Sequence, residues 1–395
     1  MTNEIYILGA TGRTGRDVAT RLHSAGVHLV LCGRSRDSLT RLAAELGGGH
    51  RVMVGSLESM LGHLAEDAPA VVVNTVGPFA ATALQVARAC PPGTHYVDIS
   101  NEFSSVDDLL RFDRQAAAAG QVFVTGAGFG VLATESAALR LVQGRGRPSR
   151  LRVDALPSLA LDGGLLGAAL AGSIVEVIEF GGREVRQGRL VRSATAEHPQ
   201  TVVTPDGDTL FTAGGANGEL LAAWRATDAD EVVATSTAAP RNPVVRRVVL
   251  PVLQVVVRMP GVAGLLRGRI ARIRLTAARM ARRSSWARAR GEWDAAPAVD
   301  RGAQTAASGE TAASGRTTVE CWLQVGDAGV FTADVMAEVA HRLLRGEGRP
   351  GAHTPGALFG TELAESLGGT FTVVETTPTV ETTPTVKTTP AKDLS

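Results

Sequence analysis

At 395 residues, 44% of them apolar, the chain is long enough for roughly two to three domains of about 150 residues and can bury a sizeable core, which excludes global disorder. Its 40 basic and 39 acidic residues leave a net charge of +1, yet every basic residue is arginine except Lys387 and Lys392 near the end. A body without lysine excludes Schiff-base chemistry, a P-loop phosphate lysine and a Tyr-x-x-x-Lys catalytic pair.

Short β-branched runs predict strands at Glu4 to Leu8, His28 to Cys32, Arg51 to Val54, Ala70 to Asn74, His95 to Asp98 and Gln121 to Thr125. Helical patterns at 13–25, 36–47, 57–66, 80–90 and 104–119 lie between them. This alternation predicts an α/β, doubly wound parallel-sheet Rossmann domain over residues 1–130. From 131 to 352 the alternation is lost, and Gly-rich turns with antiparallel patterns predict an inserted α+β domain for substrate binding and dimerisation. Within it, the Ala/Ser/Gly/Thr-rich stretch 294–316 predicts a flexible loop. Residues 353–374 predict one helix, at 356–367, packing back on the body, and 375–395, built on ETTPTV repeats, predict a mobile Thr/Pro tail.

Cys32, Cys90 and Cys321 are isolated and odd in number, so they predict small buried residues in a reducing cytoplasm and no metal site. The polar start resembles neither a signal nor a transit peptide. The longest apolar run, Val248 to Val257, is too short to cross a bilayer, which needs about 20 residues. The expected location is cytoplasmic, with peripheral membrane contact as an option.

The first strand runs into Gly9-Ala10-Thr11-Gly12-Arg13-Thr14-Gly15 and then a helix. Gly9 allows the tight turn, Gly12 lets backbone approach a pyrophosphate, and Gly15 lets helix pack on strand, with the phosphate at the helix N-terminus. The end of the second strand reads Cys32-Gly33-Arg34-Ser35-Arg36, with no acid before Asp37. An acid there would hold a ribose hydroxyl, whereas Arg34 and Ser35 suit a 2′-phosphate, so NADP(H) is the expected cofactor. Arg36 either adds a second charge or is simply solvated.

With Asn74-Thr-Val-Gly-Pro-Phe79, Gly93-Thr-His-Tyr-Val-Asp98 and Gly128-Phe-Gly130 added to the loop, the chain resembles the saccharopine dehydrogenase family, and within it a bacterial branch that includes trans-acting enoyl reductases. The resemblance covers most of residues 4–143 and continues through Gly172-Ser173, Gly188 to Val191 and Thr354 to Gly360. It implies an NADP(H)-dependent oxidoreductase whose second domain covers the nicotinamide, without implying saccharopine as substrate. Many relatives carry Asp-Ser-Val-Pro-Ser-Asp after Gly-Phe where this chain has Gly130-Val-Leu-Ala-Thr-Glu135, so their substrate contacts do not transfer.

Residues beyond the carboxyl ends of the strands face the ligand crevice of such a sheet. That places Thr75, Val76, Gly77 and Pro78 near the nicotinamide ribose, with Phe79 as pocket wall or core. The candidate proton sources are Tyr96, His95, Glu102 and Glu135, with Asp98 and Glu102 favoured by their place at and beyond a strand end. The backbone of Gly126 to Gly130 is a candidate oxyanion partner.

Between Glu231 and Glu292 there is no acid, and Arg241 to Arg290 contains 13 arginines. The segment is either a solvated face or a docking surface for an acidic carrier protein, a CoA phosphate or a membrane. Nucleic acid is not expected, because aromatic residues for base stacking are scarce. A small-molecule or acyl substrate and a second copy of the chain complete the expected partners. The reading is an NADPH-dependent oxidoreductase transferring hydride to a C=C (enoyl) or C=N bond of a lipid, polyketide or other specialised-metabolism intermediate. The competing reading is a catalytically inactive NADP-binding interaction or membrane-associated module of the same fold.

Overall fold

The structure, a computed structural model, describes residues 2–160, 164–165, 168–277, 280, 282–294 and 316–376. The expected loop at 294–316 and the Thr/Pro tail lie almost wholly outside the described residues.

The first sheet is built from β1 (Thr2–Leu8), β2 (Leu29–Gly33), β3 (Arg51–Val54), β4 (Pro69–Asn74), β5 (His95–Asp98) and β6 (Val122–Val124). Helices α1 (Arg13–Ser24), α2 (Arg36–Glu45), α3 (Leu57–Asp67), α4 (Phe79–Ala89), α5 (Phe103–Arg111) and α6 (Asp113–Ala118) connect them. The strand order, β6-β5-β4-β1-β2-β3, is parallel throughout and reverses between β1 and β4, the switch point at which such sheets bind ligands. A seventh strand, Gly351–His353, adds parallel to β6 from the far end of the chain. Both faces are covered, which is why these strands read as near-continuous apolar runs. Val71, Val73 and Val97 point into one core layer, and Tyr6, Val72 and Tyr96 into the other.

After β6 the chain enters α7 (Phe129–Val142), which is buried on nearly every side. It leads into a second, mixed sheet of nine strands among the described residues, whose centre is Glu231–Ser236, Arg150–Leu156, Ser285–Trp293 and Thr317–Val325. Around it lie α8 (Ala168–Phe180), α9 (Gly218–Thr227), α10 (Leu250–Val257), α11 (Val262–Ala271) and α12 (Ala328–Leu344). The last of these returns to the first domain, where Arg21 of α1 pairs with Asp334. The single helix expected at 356–367 is two short ones, Pro355–Phe359 and Glu362–Ser366, because the chain turns at Gly360 with φ +69°. Cys32, Cys90 and Cys321 are free thiols, all buried.

The arginine-rich stretch divides in two. Arg288 turns into the second sheet, where its Nε donates to the fully buried Asp154 at 2.8 Å, and Trp286 packs edge-on to Trp322. The arginines of α11 stay on the surface.

Candidate active site

The glycine loop is shaped by backbone contacts that leave no room for side chains at two of its three glycines. Gly9 sits at φ +79°, and a Cβ there would lie 2.7 Å from the Thr75 hydroxyl. At Gly15 a Cβ would lie 2.3 Å from the Gly9 carbonyl oxygen. Gly12, in contrast, would meet only that carbonyl, at 3.2 Å, and is exposed on its other side. Gly12 caps α1 without any side-chain hydrogen bond, so the first-turn N–H groups and the positive end of the helix dipole are presented to an anion. Such a cradle fits a pyrophosphate, with Thr11, Arg13 and Thr14 along its rim; Ala10, expected beside them, is buried in the core with its amide donating to the Cys32 carbonyl at 3.1 Å.

Thr75 ties this loop to the neighbouring strand by donating from its hydroxyl to the Leu8 carbonyl at 2.8 Å. Asn74 accepts from the Val76 amide at 3.0 Å, shaping the turn into the cis Gly77-Pro78 bond, and Phe79 is buried in the core at the start of α4. At the end of β2, Arg34, Ser35 and Arg36 are exposed. Ser35 accepts from the Ser38 amide and so caps α2. Arg34 and Arg36 meet no carboxylate among the described residues, which leaves two cations for a phosphate group.

Asp98 and Tyr96 lie beneath the crevice, both completely buried. Asp98 accepts from the Tyr96 hydroxyl at 2.8 Å, the Ser100 amide at 2.9 Å, the Thr125 hydroxyl at 2.9 Å and the Gly126 amide at 3.2 Å. Burial nevertheless leaves its acidity weaker than usual. Tyr96 also accepts from Asn74 at 3.1 Å, and burial followed by the Asp98 charge raises its pKa well above the ordinary value. The two residues join the ends of β4, β5 and β6 and turn no free atom to a ligand. His95 lies at the opposite, amino end of β5, where its Nδ1 accepts from the Val122 amide at 3.0 Å. Four of the five expected oxyanion donors, Gly126 to Phe129, do not stand free. The amides of Gly126, Ala127, Gly128 and Phe129 already donate to Asp98, the Asp98 carbonyl, the Gly126 carbonyl and Thr332.

Glu102 stands differently. It is 3% exposed, and its Oε2 accepts from the Ala80 amide at 2.5 Å, just past Pro78. From the second domain α8 closes on the same place. Gly172 abuts Pro78 so tightly that a Cβ would lie 2.7 Å from the proline Cβ, and one turn later Glu176 reaches the Ser104 hydroxyl and the Glu102 carboxyl. Glu176 Oε2 is buried and receives no other donor. Burial, then the Glu102 carboxyl, pushes the pKa of Glu176 up to about 8. Apposed to a second carboxyl in a dry site, Glu176 is favoured in its protonated form.

Glu176 escaped the sequence reading because its partner is 74 positions away; the available signal was a lone acid inside the apolar run Ala-Gly-Ser-Ile-Val-Glu-Val-Ile. Glu219 of α9, also missed, is 2% exposed and accepts from Asn101 at 2.9 Å, and burial pushes its pKa up to about 7. Glu135 is buried in α7 and accepts from the Thr354 hydroxyl and, at 2.8 Å, the Gly356 amide. Its pKa, about 7 through burial, accompanies a joint between α7 and the C-terminal segment rather than a place in the crevice.

A glycine-shaped helix start at the switch point of a doubly wound sheet, closed over by a helix from a second mixed-sheet domain, defines a two-domain α/β fold. No family model and no curated protein matches the chain. Among solved structures it is similar to the apo saccharopine dehydrogenase (L-Glu forming) from Saccharomyces cerevisiae, with TM-score 0.56 and 11% identity over 94% of this chain and 99% of that one. A probable dehydrogenase from Thermotoga maritima superposes with TM-score 0.41 and 11% identity over 91% of this chain and 93% of that one. The yeast likeness establishes a shared fold spanning both domains.

Proposed function

We propose that the protein is an NADPH-dependent reductase acting on a polarised C=C or C=N bond of an apolar or acyl intermediate. The observation that carries this reading is convergence: Thr75 to Pro78, which border the phosphate cradle, are met by Gly172 of α8, one turn from the buried Glu102–Glu176 carboxyl pair that the two domains form together. The shared fold with a dehydrogenase supports it.

The backbone of Gly9 to Gly15 receives the pyrophosphate, and Arg34 with Arg36 receives the 2′-phosphate. Thr75 to Pro78 fix the wall beside which the nicotinamide fits. When bound, NADPH supplies the hydride. Glu176 holds a proton at Oε2 at neutral pH, because burial and the Glu102 carboxyl disfavour its ionisation. Delivery of that proton to the reduced product leaves the negative charge on Glu176, while the Ala80 amide holds the facing Glu102 carboxyl in place. The α8 helix, packed on Pro78, excludes water from the transfer.

The test is NADPH oxidation with a panel of enoyl thioesters, imines and ketones, run beside NADH. Consumption of NADPH with an enoyl or imine substrate, lost in Glu176→Gln, is the expected result. Tight NADPH binding with no turnover across the panel would instead favour a catalytically silent module.

A further inference from the structure

In the thirty residues from Val244 to Ile273, only Val257 is buried. Val248, Val252, Val255 and Leu265 are each more than half exposed, and Val249, Met259 and Ile273 are close to half. Beside them Ile174 and Val177 stand on the outer face of α8, the helix whose inner face carries Gly172 and Glu176. Soluble monomers rarely leave such a contiguous apolar surface in water.

The charge of the same surface has one sign. No acid occurs between Glu231 and Glu292. Arg258 and Arg267 are tied to Glu179, and Arg246 to backbone carbonyls, but Arg247, Arg269, Arg272 and Arg274 are exposed and meet no carboxylate among the described residues. An acidic carrier protein would satisfy these arginines and leave the valines in water. A second copy docked face to face would set arginine against arginine.

A lipid bilayer with anionic headgroups satisfies both features. The geometry matches a helix pair that lies in the membrane plane. The run Val245–Val257 is about 20 Å long at 1.5 Å per residue, short of the roughly 30 Å hydrocarbon core, and the chain bends by 116° before α11. No single described helix is long and apolar enough to cross a membrane. We propose that α10, α11 and the outer face of α8 form an in-plane docking surface for an anionic bilayer, with valines in the acyl boundary and arginines among the phosphates. Because α8 carries Glu176 on its other face, the crevice lies one helix thickness from that surface.

The test is co-sedimentation of the full chain with vesicles of phosphatidylcholine alone and of equal parts phosphatidylcholine and phosphatidylglycerol. Wild type is expected on the mixed vesicles, bound at least about tenfold more weakly to the neutral ones. The V252D/V255D variant is expected to lose both while keeping its wild-type melting temperature, since both side chains are solvent-facing. Replacing Arg247, Arg269, Arg272 and Arg274 by Gln is expected to weaken binding to mixed vesicles by roughly fivefold per arginine. The proposal is overturned by absent binding to mixed vesicles, by equal binding to both compositions, or by full binding of V252D/V255D. A dimer that V252D/V255D dissolves, with no vesicle binding by wild type, also overturns it in favour of a second copy. None of these outcomes depends on turnover, so they stand apart from the reductase assay.

Discussion

Two buried carboxyl clusters, one inside the second sheet and one where the two domains meet, are built on opposite principles. In the second sheet the fully buried Asp154 lies between Arg152 and Arg288, at 3.0 and 2.7 Å, and these charges hold its pKa below the ordinary value against the desolvation that would raise it. In the crevice Glu176 is nearly as buried, yet it meets a hydroxyl and a second carboxyl, and its pKa moves up to about 8. The same residue class under similar burial therefore gives a fixed charge in one place and a stored proton in the other. Supplying arginine rigidifies; withholding it leaves a group poised to exchange a proton, at a cost in stability.

Breaking the compensated cluster has the largest expected effect. Arg288→Met leaves Asp154 with half its counter-charge and is expected to cost about 3–5 kcal/mol in urea unfolding, recovered in part by adding Asp154→Asn. Glu176→Gln removes the stored proton and is expected to lower kcat about 10²- to 10⁴-fold with little change in NADPH affinity. In the wild type kcat is expected to fall as pH rises through about 8, following ionisation of Glu176. Arg34→Ala is expected to weaken NADPH by about 1.5–3 kcal/mol and leave NADH unchanged, read by isothermal titration.

The smallest effect concerns pH and stability. Glu135, Glu176 and Glu219 have folded pKa values of about 7, 8 and 7, above the ordinary 4.5. Between those limits these three groups bind more protons in the folded state than in the unfolded one, so their contribution to stability is greatest below about pH 4.5 and declines as pH rises towards 8. Glu219→Gln is expected to flatten that decline and to stabilise the protein at pH 8 by about 1–2 kcal/mol in thermal unfolding.

The first domain was legible because parallel strands buried on both faces announce themselves as β-branched runs, and the glycine loop marks the switch point. Predicted and observed bounds agree within two residues for β1 to β6. Helix α7 was not legible: with ten of its 14 residues buried it lacks an amphipathic period, and its start reads as a glycine turn. Strand Gly351–His353 has three residues and no β-branched side chain, and it exists only because β6 offers an edge. In the site, the cradle and the Arg34 end of β2 were legible as local spacing. The Glu102–Glu176 pair was not, because two helices from different domains bring its halves together. Equally, sequence placed Asp98 and Tyr96 at the right strand end without revealing that their hydrogen bonds are already taken.

That late-arriving seventh strand has a consequence during synthesis. It follows β6 by more than 220 residues, which a ribosome moving at about 5–20 residues per second takes roughly 10–50 s to deliver. For that interval the nascent nucleotide domain exposes an unpaired parallel edge, the surface most prone to wrong pairing. The domain that begins to fold first therefore stays open until nearly the whole chain has emerged.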